Sequence, residues 1–312
     1  MRIAFWGTPD FAAPPLRALI GEGYDVVGVV TQPDKPRHNN GRSRSQVDPS
    51  AVKVIALEEG LPVLQPERPR GTEFLAQLEA LAPDISVVVA YGHLLTDEVI
   101  RLPVLGTVNI HASLLPQYRG AAPIEAAIRD GCADTGVTVM RMVLALDAGP
   151  VIHALRAPIA PDETAGELHL RLAELGATAI VEALALMAMG KAVESPQIDA
   201  LATFAPKIGR GDARLSFDAP ADRVARLVRA YDPRPGAWAV VEGREVRCFG
   251  ARGIAERSGQ PGEVIEAGDS GLLVACGEGA VRIAEVHPAG GKRLAAAQWV
   301  RGRGVSVGSR FS

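Results

Sequence analysis

Through its first half the chain alternates short apolar runs with stretches of helical apolar spacing, and no other feature limits the possible folds so strongly. Residues 2–6, 26–31, 85–90 and 107–111 are rich in β-branched side chains and bounded by turn residues, which predicts strands. Between them, residues 11–20, 51–59 and 72–81 carry the 3.6-residue apolar period of helices. Such alternation predicts a Rossmann-like α/β domain: a mostly parallel sheet, helices on both faces, and ligands at the carboxyl ends of the strands. Further on, residues 135–143 and 151–157 read as an antiparallel pair and 164–189 as a long, alanine-rich helix.

The pattern changes after residue 189. Residues 190–197 break the helix with Gly190 and Pro196 and read as the start of a linker. A short helix at 222–231 is followed by strand-like runs at 237–241, 245–249, 262–267, 272–275 and 281–286, a spacing that predicts a small OB-like β-barrel. The expected organisation is an α/β catalytic domain over 1–189, a linker over 190–207 and a barrel over 208–312. A length of 312 residues suits two such cores.

Composition removes several functional classes. No apolar run approaches the roughly 20 residues of a membrane span. The start, Met1-Arg2-Ile3-Ala4-Phe5, enters a strand without the apolar core of a secretory signal, so a cytoplasmic location is expected. Cys132, Cys248 and Cys276 are far apart and read as small buried hydrophobes, while His153 (on a strand), His169 (on a helix) and His287 (in a loop) lack ligand spacing. No metal is expected. The net charge of −3 argues against a general nucleic-acid coat, yet residues 210–312 carry 16 Lys and Arg against 12 Asp and Glu. That excess allows an anionic partner at the second domain. After the first strand, Gly7-Thr8-Pro9-Asp10-Phe11 lacks G-x-G-x-x-G and no P-loop occurs, so neither a dinucleotide cofactor nor triphosphate hydrolysis is expected.

The strongest constellation is Asn109-Ile110-His111-Ala112-Ser113-Leu114-Leu115-Pro116. Strand alternation places Asn109, His111 and Ser113 on one face. An asparagine or histidine standing alone there is more often a satisfied structural residue. Here Leu146-Asp147-Ala148-Gly149 adds a carboxylate in a turn that can face the same strand end. The three groups suit acyl transfer to an amine. Asn109 and His111 are donors for a developing oxyanion, and Asp147 favours the charged imidazole and relays protons.

These residues, with Gly7–Phe11, Thr31-Gln32-Pro33-Asp34, residues 87–92 and Tyr118-Arg119-Gly120-Ala121-Ala122-Pro123-Ile124, carry a resemblance that runs nearly end to end. The chain resembles the family of formyltransferases that use 10-formyltetrahydrofolate. The resemblance implies that Asn109, His111 and Asp147 are catalytic. It implies that Ser113, Leu114, Leu115 and Pro116 bind the folate co-substrate, and that the backbone of Val89, Ala90, Tyr91 and Gly92 holds the pterin. Ala205-Pro206-Lys207-Ile208 and the run from Arg229 to Ala237 resemble the linker and barrel of those members that act on charged tRNA. The implied activity is formylation of the free amino group of methionyl initiator tRNA, for translation initiation, by a monomer. Arg42 and Lys207 are the implied tRNA contacts. Arg42 lies with Arg37 and Arg44 in the loop 35–45, which matches a basic loop entering the acceptor stem but is about two residues longer and carries His38, Asn39 and Asn40 in place of lysines. Asp232 replaces the family's usual asparagine, and Trp6, where a smaller residue is usual, is expected to face the core. Two other readings stay open: an amino-sugar nucleotide as acceptor, against which the 232–237 segment and the basic loop weigh, and a folate- or tRNA-binding protein without turnover, against which the intact trio weighs.

Overall fold

The structure is a computed structural model that describes residues 1–36, 47–255, 257, 259–302 and 304–312. The chain packs as two units. The first comprises Met1–Gly120, Thr135–Ala157 and Leu170–Phe204, the second Ala121–Asp134, Pro158–His169 and Ala205–Ser312. Helices form at α1 (Ala13–Gly21), α2 (Ala51–Glu58), α3 (Thr72–Ala80), α4 (Asp97–Arg101), α5 (Pro123–Arg129), α6 (Ala165–Ala188), α7 (Ala221–Ala230) and α8 (Ala296–Arg301). Two have side-chain caps that explain where they start. Ser50 Oγ accepts the Lys53 N–H before α2, and before α6 Thr164 and Glu167 exchange hydrogen bonds in a capping box.

The first unit is built on a sheet of β1 (Arg2–Gly7), β2 (Asp25–Val30), β3 (Val63–Leu64), β4 (Ile85–Val89), β5 (Thr107–His111), β6 (Asp134–Arg141) and β7 (Val151–Pro158), in the order β7-β6-β5-β4-β1-β2-β3. From β5 across to β3 every pairing is parallel, and β6 joins β5 antiparallel. The central strands are buried along nearly their whole length, as expected of a parallel sheet covered on both faces. Trp6 does face the core. It is fully buried, its indole N–H donates to Ser86 Oγ at 3.1 Å, and it meets Phe74 and Tyr91 edge-on with centroids 5.8 and 5.3 Å away.

The second unit carries an antiparallel sheet of β8 (Ala237–Val241), β9 (Arg244–Ile254), β10 (Val264–Gly268), β11 (Gly271–Ala275), β12 (Ala280–Pro288) and β13 (Leu294–Ala295), ordered β8-β9-β12-β11-β10 with β13 on β12. His287, read from the sequence as a loop residue, lies inside β12. The proline after it ends the strand without excluding the histidine from it. The segment 309–312 joins the two edges of this sheet. Ser312 and Val240 exchange backbone hydrogen bonds beside β8, and Phe311 N–H donates to the Gly262 carbonyl while Val264 N–H donates to that of Ser309 beside β10. The sheet is thereby closed into a barrel. α7 packs on β9 with Val224, Ala225 and Val228 buried, and α5 packs on α7.

Candidate active site

The carboxyl end of β5 presents Asn109 and His111 on the same face. Their neighbours across the antiparallel pairing are Met140 and Thr138. The alternation was expected to continue to Ser113, but the strand stops at His111 and the chain turns. Ser113 is fully buried inside that turn. Its hydroxyl donates to the Gln117 carbonyl at 2.5 Å, and its own carbonyl accepts from Thr138 Oγ1 at 2.7 Å. The serine therefore shapes the turn, and only Leu114, Leu115 and Pro116 remain half-buried at its surface.

His111 is 6% exposed, and its ring orientation is fixed by chemistry. Nε2 lies 2.8 Å from the Tyr118 carbonyl oxygen. A carbonyl can only accept, so Nε2 carries the hydrogen. Nδ1 is then the nitrogen left to exchange a proton, and it lies 3.7 Å from Asp147 Oδ2. That separation is too long for a direct hydrogen bond, yet an atom placed to one side can reach both groups. The side-chain amide of Asn109 makes no hydrogen bond to any described residue and is half-buried at the same strand end.

Asp147 belongs to the connection between β6 and β7, and its backbone is held in the left-handed region at φ 50°. Its Oδ2 accepts the Gly120 N–H at 2.8 Å. Two residues on, Gly149 passes so close to β6 that a Cβ there would lie 1.9 Å from the Arg141 carbonyl oxygen. Only glycine lets the turn fold this tightly.

Sequence reasoning gave no role to two residues beneath this turn. Arg119 is 5% exposed, and its guanidinium donates to Gln197 Oε1 from Nε at 3.1 Å and from Nη2 at 2.8 Å, with Nη2 also on Asp199 Oδ1 at 2.8 Å. Gln197 Nε2 donates to the carbonyl oxygens of Asp147 and Gly149, both at 2.8 Å. Arg119 stood within a motif that carried the resemblance, and Gln197 lay in the stretch read as linker. Their separation of 78 positions leaves no local signal linking them.

At the end of β4, Ala90 and Gly92 take φ of 47° and 84° and turn the backbone outward, both exposed. Exposed backbone at a strand end fits the polar edge of a flat heterocycle. Tyr91 points the other way. It is 2% exposed beneath Trp6, its carbonyl accepts from Gln32 Nε2 at 2.8 Å, and burial pushes its phenol up to about 12. Backbone included, the residue is closed off from solvent, as is Val89, and only Ala90 and Gly92 of this turn are exposed. Lys207 is exposed and has no acidic partner among the described residues. Arg42, with Arg37 and Arg44, lies outside the described residues. No group of three or more His, Cys, Asp and Glu among the described residues could hold a metal ion.

The sequence pattern of the formyl transferase family matches residues 1–184, and that of the formyl transferase C-terminal domain matches residues 207–304. The chain belongs to the formyl transferase family. It is 48% identical over 303 residues to the methionyl-tRNA formyltransferase of Pseudomonas paraeruginosa, covering 97% of this chain and 96% of that protein. With the methionyl-tRNA formyltransferase of Aromatoleum aromaticum it shares 46% over 311 residues, covering 100% and 97%. In fold it is similar to HypX from Aquifex aeolicus, solved in complex with tetrahydrofolic acid, at 22% identity and a TM-score of 0.67, covering 96% of this chain and 47% of that one.

Proposed function

We propose that this protein is a methionyl-tRNA formyltransferase. It moves the formyl group of 10-formyltetrahydrofolate to the free amino group of methionyl initiator tRNA, leaving N-formylmethionyl-tRNA and tetrahydrofolate. The observation that carries this reading is identity of 45–48% with methionyl-tRNA formyltransferases along nearly the whole chain, barrel included.

The reaction makes a bond from the methionine nitrogen to the formyl carbon and breaks the bond from that carbon to the folate nitrogen. The amine loses a proton and the folate nitrogen gains one. Asn109 places an amide N–H with no other partner where it can stabilise the oxyanion on the formyl oxygen. His111, tethered through Nε2, turns Nδ1 toward the reacting atoms. Asp147, with Oδ2 held by Gly120, receives the amine proton directly or through water. Leu114, Leu115 and Pro116 give the folate an apolar wall, with Ser113 fixing their turn, and the segment Val89, Ala90, Tyr91 and Gly92 meets the pterin through the exposed backbone of Ala90 and Gly92. Residues 1–189 perform the chemistry, 190–207 connect, and 208–312 hold the tRNA, to which Lys207 and Arg42 contribute cations. The protein works as a monomer in the cytoplasm.

The test is transfer of radiolabelled formyl from 10-formyltetrahydrofolate to charged initiator tRNA, beside charged elongator tRNA and an amino-sugar nucleotide. Label on the initiator tRNA alone is expected. Label on the sugar nucleotide and on neither tRNA would move the acceptor assignment.

A further inference from the structure

We infer that Gln197, anchored by the buried Arg119, is a positioning residue for Asp147; the inference rests on the role given to Asp147 above. The amide uses all of its capacity in one arrangement. Both Nε2 hydrogens go to carbonyl oxygens of the Asp147–Gly149 turn, and Oε1 accepts twice from Arg119. Because the guanidinium only donates and the two carbonyls only accept, no flipped amide satisfies both sides.

The connections close on themselves. The Arg119 guanidinium holds Gln197, which holds the Asp147 backbone, while the next residue after Arg119, Gly120, holds the Asp147 carboxylate through its N–H. Backbone and side chain of the carboxylate are thus referred to one short segment, which also supplies the Tyr118 carbonyl that fixes His111. The turn needs such a tie, since Asp147 sits at a positive φ and the apolar residues before it, Leu144 and Leu146, are exposed and give it no packing. A turn that drifts by about 1 Å lowers a rate on the order of a hundredfold without altering the side chains that do the chemistry.

Gln197→Glu separates positioning from anchorage. The glutamate still accepts from Arg119, but it has no hydrogen for the two carbonyls and sets a negative charge against them. Gln197→Met, apolar and similar in shape, removes both sets of bonds without adding charge. Both variants are expected to lose kcat by about ten- to a hundredfold with KM for folate and for charged tRNA close to wild type; Gln197→Glu should keep the thermal midpoint, whereas Gln197→Met, which takes two acceptor bonds from the buried Arg119, should lower it. In an Asp147→Asn background Gln197→Glu should cost nothing further. A Gln197→Glu enzyme with wild-type kcat overturns the inference. So does a loss of kcat accompanied by loss of tetrahydrofolate binding and of the thermal midpoint, which marks a merely structural role. If instead Asp147→Asn alone keeps full turnover, it is the reading of the active site that fails.

Discussion

At the residue scale, the proposed chemistry depends on two donors at one strand end and a carboxylate 3.7 Å from the second. Asn109→Ala and His111→Ala should each lower kcat by about 10²–10³-fold, as loss of a preorganised oxyanion donor does. The unfolding midpoint of Asn109→Ala should stay near wild type, because its amide bonds to no described residue, whereas His111→Ala should also lower its midpoint, since the buried ring bonds the Tyr118 carbonyl. Steady-state formylation alongside thermal unfolding checks both, and an active His111→Ala enzyme would remove the histidine from the mechanism. A second residue-scale consequence concerns Asp34. Its hydrogen bond from Lys53, aided by Gln65, holds the carboxyl below its usual value of 3.8 against the opposing effect of burial. A carboxyl depressed in the folded state contributes stability that is fully present above the unfolded value and is lost as pH falls through the folded one. Asp34→Asn should therefore lower stability at neutral pH and flatten its decline below about pH 4. Denaturant unfolding from pH 7 to pH 3 measures this, and an unchanged acid slope would contradict it.

At the scale of elements, the turn between β6 and β7 brings the carboxylate to the strand end. Gly149→Ala should lower kcat at least tenfold by pushing this turn off the Arg141 carbonyl, with little change in folate affinity. Wild-type turnover in that variant would mean that Asp147 need not be held where it lies. Much of this architecture was legible in the sequence. The strands of the parallel sheet, apart from the two-residue β3 that was not expected, and the long helix follow from period and β-branching, and the alignment of Asn109 with His111 follows from alternation alone. The helices α4, α5 and α8 span five to seven residues, too few to display a 3.6-residue period. Alternation misled at Ser113 because nothing local announced that the strand ends at His111. Gln197 was hidden for another reason. Its neighbours Gly190 and Pro196 mark a break in regular structure, and a break says nothing about what the side chains within it will touch.

At the scale of the whole molecule, the charge is divided unevenly, and the cationic surplus falls in residues 210–312. If Lys207 and that surplus meet phosphates, Lys207→Ala should weaken charged-tRNA binding and reduce the slope of log affinity against log salt by nearly one, leaving tetrahydrofolate affinity unchanged. Titrations of tRNA at two or more salt concentrations decide it, and an unchanged slope would take Lys207 off the phosphate backbone. The barrel also imposes an order on synthesis. Its first strand begins at Ala237, but the residues that bind its two edges together are 309–312. At roughly 5–20 residues per second, a ribosome takes on the order of 4–15 seconds to go from one to the other. During that interval β8, joined by β10 once Val264–Gly268 has been made, presents unpaired backbone to any other strand nearby, the condition under which nascent chains join edge to edge. The barrel is most open to such pairing while it is being made, and it loses that exposure only when Phe311 and Ser312 have emerged.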